Sequence, residues 1–322
     1  MSRSRDYSLE SAVRFLDRLL HNAAMRNYDT AKLYRKARHW VGGNKDALLV
    51  YTVGKVGSSA VAASLKDSGL DRQILHLHWL VREHLDRDDA LYRKQTQKFR
   101  RTPFWWRFWP EYLWLGEYMA KRVRQPPRSG GPWRIVTLVR DPVARNISSF
   151  FENLEIFFDF DLPRAIEARG EKQVFEELIA LFLESYLGES FATQHDGDPL
   201  TWFDEELKAV FDVDVYGSPF PTDRGYEIYR TRKAEVLLLR LEDLGRCAED
   251  AFRAFLGLES LTLQRRNAGE DKSYSGVYKR FLENIELPES YLDRLYESRY
   301  ARQFYTEDEL ATFRARWERR RP

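Results

Sequence analysis

The feature that most constrains this chain is a short apolar run that breaks on two glycines and restarts as a helix. Ala47-Leu48-Leu49-Val50-Tyr51-Thr52-Val53 is continuously apolar, as expected of a strand covered on both faces. It runs into Gly54-Lys55-Val56-Gly57-Ser58-Ser59, and Ala60-Val61-Ala62-Ala63-Ser64-Leu65 then has helix-forming character up to Gly69. Strand, small-residue turn and helix together open a βαβ unit.

Such a turn carries the chemistry an oxyanion needs. Glycine lets the backbone approach a ligand closely, the first amides of a helix lack intrahelical acceptors, and the helix dipole favours negative charge. Lys55 adds a mobile positive charge and Ser58 and Ser59 two hydroxyl donors, with Gly54, Val56, Gly57 and Ala60 completing the expected contact set. A Walker A loop needs Lys immediately before its hydroxyl residue, whereas Lys55 stands three residues before Ser58. An ordinary ATP or GTP loop is therefore disfavoured.

Further strands are expected at residues 73–78, 133–139 and 235–240, separated by helical stretches. Residues 174–187, 203–211 and 248–256 read as helical, Asp141-Pro142 as a helix start, and Pro288 as another. The stretch after residue 78 reads as long and irregular. Alternating strands and helices imply an α/β fold of three layers, a central parallel sheet flanked by helices. Residues 1–45 form an expected helical extension, with Leu9, Val13, Leu16, Leu19 and Leu20 at helical spacing. Residues 46–322 form one expected α/β domain with an aromatic-rich insertion around residues 100–130.

Charge narrows the partners. Lys plus Arg number 52 against 50 for Asp plus Glu, and a net charge of +2 gives no basic field for a nucleic acid, so any anion site must be local. The basic tail at residues 314–321 reads as a frayed, solvated end. A single cysteine, Cys247, excludes an intrachain disulfide framework and any cysteine zinc cluster. The first 20 residues lack the continuous apolar core of a signal peptide, and no window has a membrane-spanning length of apolar residues. The expected location is cytoplasmic, which still admits peripheral contact with a membrane.

A second segment complements the loop. Arg140-Asp141-Pro142-Val143-Ala144-Arg145-Asn146-Ile147-Ser148 puts Arg140 at a strand's carboxyl end and Ser148 eight residues later, two turns into the next helix. Neighbouring carboxyl ends of parallel strands form a shared crevice where ligands of doubly wound folds bind. The two segments together resemble the signature of sulfotransferases that use 3′-phosphoadenosine 5′-phosphosulfate (PAPS). Their details are similar to a bacterial branch of capsular polysaccharide synthesis proteins, which Trp202-Phe203-Asp204-Glu205-Glu206 and Leu239-Arg240-Leu241-Glu242-Asp243-Leu244 also fit.

The resemblance implies a P-loop NTPase-like sulfotransferase fold and transfer of a sulfuryl group from PAPS to a hydroxyl, releasing PAP. It implies that Lys55 holds the 5′-phosphosulfate and stabilises the leaving group, and that Arg140 and Ser148 hold the 3′-phosphate. The Arg-Lys-Gly segment of cytosolic members is absent, and Lys272 or Arg266 is the expected substitute. No metal is required. His76-Leu77-His78-Trp79-Leu80 resembles the segment that carries the general base in some glycan-modifying members, which makes His76 the first candidate, His78 the second and Glu83 the third. Histidine suits the role because its reference pKa of about 6.5 leaves much of it neutral at pH 7.

The acceptor expected is a saccharide, a glycolipid or a small metabolite, with Trp105, Trp106, Trp202, Asp204 and Glu205 as candidate lining. A buried aromatic cluster explains the Trp-rich stretch equally well. Two other readings stay open: a nucleotide-dependent kinase, and a non-catalytic nucleotide- or glycan-binding protein of capsule assembly.

Overall fold

The computed structural model describes residues 46–96, 109–158, 160–187, 197–264 and 275–318. The N-terminal extension, Trp105, Trp106, Arg266, Lys272 and residues 319–321 lie outside the described residues. The chain divides into two compact units, residues 1–45 with 82–122, and residues 46–81 with 123–322.

The second unit holds a sheet of five strands in the order β2-β1-β3-β5-β4. They are β1 (Ala47–Tyr51), β2 (Gln73–Leu77), β3 (Trp133–Val139), β4 (Tyr226–Arg230) and β5 (Ala234–Arg240). β1 pairs in parallel with both β2 and β3, Leu48 opposite Ile74 on one side and Arg134 on the other. β3 pairs in parallel with β5. β4 runs antiparallel to β5, so the sheet is mostly rather than wholly parallel, a correction to the expected all-parallel arrangement. Its cause is a tight reversal in which the Thr231 hydroxyl accepts from the Lys233 and Ala234 amides.

Helices flank this sheet. α1 (Ser58–Asp67) follows β1, and α2 (Arg82–Thr96) and α3 (Trp109–Arg122) form the described part of the first unit. The region expected to be irregular is thus largely helical. α2 hides its helicity because it is strongly polar, supported by i,i+4 pairs such as Arg82–Asp86 rather than by an apolar stripe. On α3, Trp114 and Tyr118 stack one turn apart, ring centres 5.4 Å from each other. α4 (Pro142–Phe157) starts where Asp141 and Pro142 indicate, the Asp141 carboxylate accepting from the Val143 amide at 3.0 Å. Then come α5 (Leu162–Arg169), α6 (Glu171–Leu187), α7 (Leu244–Leu256), α8 (Ser275–Asn284), α9 (Glu289–Tyr296), α10 (Arg299–Phe304) and α11 (Glu307–Trp317).

Packing explains the order. Leu48, Leu49, Val50 and Tyr51 of β1 are wholly buried, contributing about 1.5–3 kcal/mol each. One face of α4, with Ile147, Phe150, Phe151 and Leu154, enters an aromatic cluster with Phe182, Phe281, Tyr291 and Trp317. Phe150 meets Phe182 edge-on at 5.3 Å. Trp317 corrects the frayed-tail reading: it is fully buried, and its carbonyl accepts from the Leu287 amide at 3.0 Å. Of this tail, the residues after Glu318 lie outside the described residues. Among the described residues, no helix is long and apolar enough to cross a membrane.

Candidate functional site

The chain leaves β1 toward β2 on one side and finds β3 on the other, so their carboxyl ends lie at a topological switch point. The 54–59 loop rises from β1 there, and Arg140 ends β3 beside it. Two arginines hold the loop. Arg145 of α4, itself completely buried, donates Nε–H to the Gly54 carbonyl at 3.0 Å, and Arg140 donates from Nη1 to the Lys55 carbonyl at 3.0 Å.

A trans peptide directs its N–H opposite its C=O. With both carbonyls turned to guanidinium groups, the amides of Lys55 and Val56 point the other way. The backbone curls with positive φ at Lys55 (70°) and Gly57 (83°), which for the non-glycine Lys55 is a strained conformation. Gly57 is required twice over, since a Cβ there would also lie 2.6 Å from Cδ1 of Leu241. Among the described residues, the amides of Val56, Gly57, Ser58 and Ser59 meet no protein acceptor, and no side chain caps α1. The result is a nest of N–H groups.

The side chains beside it come from the loop itself and from α4. Lys55 Nζ lies 3.4 Å from Glu152 on α4. Ser148 shares the half-buried face of α4 with Glu152, one turn earlier. Neither the Ser148 nor the Ser59 hydroxyl has a partner among the described residues. Arg140, half-buried, pairs there with no carboxylate, and its backbone is fixed at both ends by the Tyr300 hydroxyl, which accepts from its amide at 3.0 Å and donates to its carbonyl at 2.9 Å.

His76 and His78 do share one face of β2 and its extension, their rings 4.9 Å apart and edge to face. They differ in what holds them. His76 Nε2 meets the hydroxyl of Ser58, the first residue of α1, at 2.9 Å, so Ser58 is engaged with the strand as well as the loop. Burial, helped by the neighbouring His78, pushes the His76 pKa well below the usual histidine range, keeping it neutral and weakening it as a base. His78 Nδ1 lies 2.7 Å from the Thr52 carbonyl. A carbonyl only accepts, so Nδ1 carries the proton and the neutral ring presents Nε2 as its basic nitrogen. Glu83 belongs to the other unit.

The remaining candidates are dispersed. Trp202 is fully buried and donates its indole N–H to the His78 carbonyl at 3.0 Å, so it supports the strand end rather than lining an open surface. Asp204 forms an ion pair with Arg299, and Glu205 is exposed. All three belong to or adjoin a π-helical turn, Phe203–Lys208. The 202–206 stretch ends in Glu206, which reaches back to the chain just past β2. Glu206 is completely buried, and one carboxylate oxygen takes the Tyr51 hydroxyl, the Leu80 amide at 2.9 Å and the Val81 amide at 3.1 Å. Burial and this carboxylate raise the Tyr51 pKa well above its usual value.

Taken together, fold and site define an α/β protein whose unpaired donors gather at a strand-to-helix turn. Comparison adds one likeness: residues 183–306 match the family NKWYS, described as "Putative capsular polysaccharide synthesis protein". That stretch holds the π-helical turn, β4, β5 and α7 through α10, but neither the 54–59 loop nor Arg140. No curated protein and no solved structure matches the chain.

Proposed function

We propose that this chain is a PAPS-dependent sulfotransferase that esterifies hydroxyl groups during capsular polysaccharide synthesis. The observation carrying the proposal is the set of unpartnered donors around the loop: the amides of residues 56–59, the hydroxyls of Ser59 and Ser148, and the Arg140 guanidinium without a carboxylate. Donors left unsatisfied at a partly buried site fit an anionic ligand, and two groups of them fit a nucleotide that is anionic at two places. The family likeness favours a polysaccharide hydroxyl as acceptor.

PAPS supplies an activated sulfuryl group: the acceptor oxygen bonds to sulfur as the bond from sulfur to the 5′-phosphate oxygen breaks, giving a sulfate ester and PAP. Lys55 and the loop amides would offset the charge gathering on the departing phosphate. Arg140 and Ser148 would hold the 3′-phosphate. The acceptor proton goes to a histidine, and the reading favours His78, whose Nδ1–H bond to Thr52 makes Nε2 its unprotonated nitrogen, over His76, which burial makes a weak base. His76 remains a neutral support for the first turn of α1.

Titration calorimetry with PAP, ATP and GTP, followed by incubation with labelled PAPS and a capsular polysaccharide fraction, tests the reading. PAP should bind more tightly than either triphosphate, and label should appear as sulfate ester on the polysaccharide. Preference for ATP or GTP would instead favour a kinase. PAP binding without transfer would favour a non-catalytic binding protein of capsule assembly.

A further inference from the structure

Glu206 is the one carboxylate among the described residues with zero exposure. It lies in a π-helical turn, a form uncommon enough to suggest that its register serves a purpose. A carboxylate stripped of water is costly unless its oxygens are matched by donors, and here Tyr51, Leu80 and Val81 supply them. Two of those donors are the amides directly after Trp79, where the chain leaves β2. One turn earlier Trp202 places its indole N–H on the His78 carbonyl. The same turn therefore grips residues 78–81 at both ends.

That grip bears on the chemistry of His78. The His78 ring is aimed by one bond, Nδ1–H to the Thr52 carbonyl, and Thr52 follows Tyr51, whose side chain ends on Glu206. Both sides of the bond, the backbone bearing His78 and the strand bearing Thr52, are thus fastened to the 202–206 turn. Trp202 adds an edge contact to Tyr51, ring centres 4.8 Å apart.

We infer that Glu206, with Trp202, is the positioning residue of the histidine base: it fixes the backbone of residues 78–81 against Tyr51 and Thr52 so that His78 is held as the Nδ1–H tautomer. The inference rests on the reading of His78 as the acceptor-side base. It also gives the matched 183–306 stretch a physical connection to a site whose loop lies outside it.

The test uses the full chain labelled with ¹⁵N-histidine, with the Glu206→Gln and Trp202→Phe variants. In the unaltered protein the His78 ring nitrogens should report a single Nδ1–H tautomer. Both variants should melt cooperatively, bind PAP within about twofold of the unaltered protein, and show His78 as a mixture of tautomers. An unchanged His78 signal in folded variants overturns the inference, as does a loss of PAP affinity in parallel with the tautomer change, which would mean general loosening of the site. If Glu206→Gln does not fold, Trp202→Phe decides alone, because it keeps an aromatic ring against Tyr51 while removing the bond to the His78 carbonyl. Should the unaltered protein transfer no sulfate, the proposed function fails, while the tautomer measurement still decides whether Glu206 and Trp202 position His78.

Discussion

Two arginines end two neighbouring strands of the same sheet, and their surroundings are opposite. Arg240, at the end of β5, is buried and paired with both Asp243 and Glu309, donates to the Phe304 carbonyl at 3.0 Å, and lies over the Tyr305 ring. Arg140, at the end of β3, is half-buried and meets a backbone carbonyl but no carboxylate among the described residues. A cation neutralised by two acids and covered by an aromatic ring is part of the frame. A cation held in place yet left unneutralised, beside a row of unpartnered amides, is equipped to meet an anion from outside. Position at a strand end is common to both, so the difference lies in the company each keeps.

Three substitutions test this contrast, and a fourth measurement tests the buried histidine beside the loop. Arg240→Met should have the largest effect, costing about 3 kcal/mol in urea unfolding, because it takes the buried cation from between Asp243 and Glu309 and leaves Asp243 only its exposed partner Arg246. A loss under about 1 kcal/mol would erase the distinction drawn for Arg240. Arg140→Ala should weaken PAP binding by about tenfold to a hundredfold in calorimetry, the worth of one or two contacts to a charged group, and cost little stability. Equal PAP affinity would remove Arg140 from the site. Gly57→Ala tests whether the two ends are joined, since Leu241, directly after Arg240, packs where the new Cβ would go. It should cost about 1–2 kcal/mol in thermal or urea unfolding and weaken PAP binding together with it.

The smallest effect is on pH dependence. Folding holds His76 neutral, with a pKa well below that of the unfolded chain near 6.5. Its contribution is therefore fully present above about pH 6.5 and is lost as the pH falls toward the lowered folded value, because the unfolded chain takes up the proton first. The melting temperature should decline with acidification in that window, and His76→Asn should flatten the decline. An identical slope in the variant would show that other groups govern it.

Much of the frame was legible because β1, β3 and β5 are buried on both faces and so spell continuous apolar runs, and because Asp141-Pro142 signals a helix start by local chemistry alone. β4 escaped notice for the opposite reason. Tyr226-Glu227-Ile228-Tyr229-Arg230 is an edge strand, none of its residues fully buried, and its polar alternation resembles a loop. At the site, the period of two placed His76 and His78 on one face, and the two loop glycines marked the turn. What residue order could not separate is Asp204, Glu205 and Glu206. Three successive acids read as a solvated face, and only the π-helical register and the tertiary fit decide that the third turns inward while the first two do not.

The pairing of β1 also sets a sequence in time. Its contact with β2 closes over only the 54–59 turn and α1, whereas Thr52 meets Leu138 across 86 residues of chain. Closing the longer loop costs more entropy and comes later in folding, or in synthesis. Until β3 docks, the 54–59 turn exists without Arg140 and Arg145, and nothing then turns the carbonyls of Gly54 and Lys55 away from the ligand side. A chain emerging from the ribosome thus carries the anion loop long before it can use it, and ligand affinity should arise only once β1 has paired with β3.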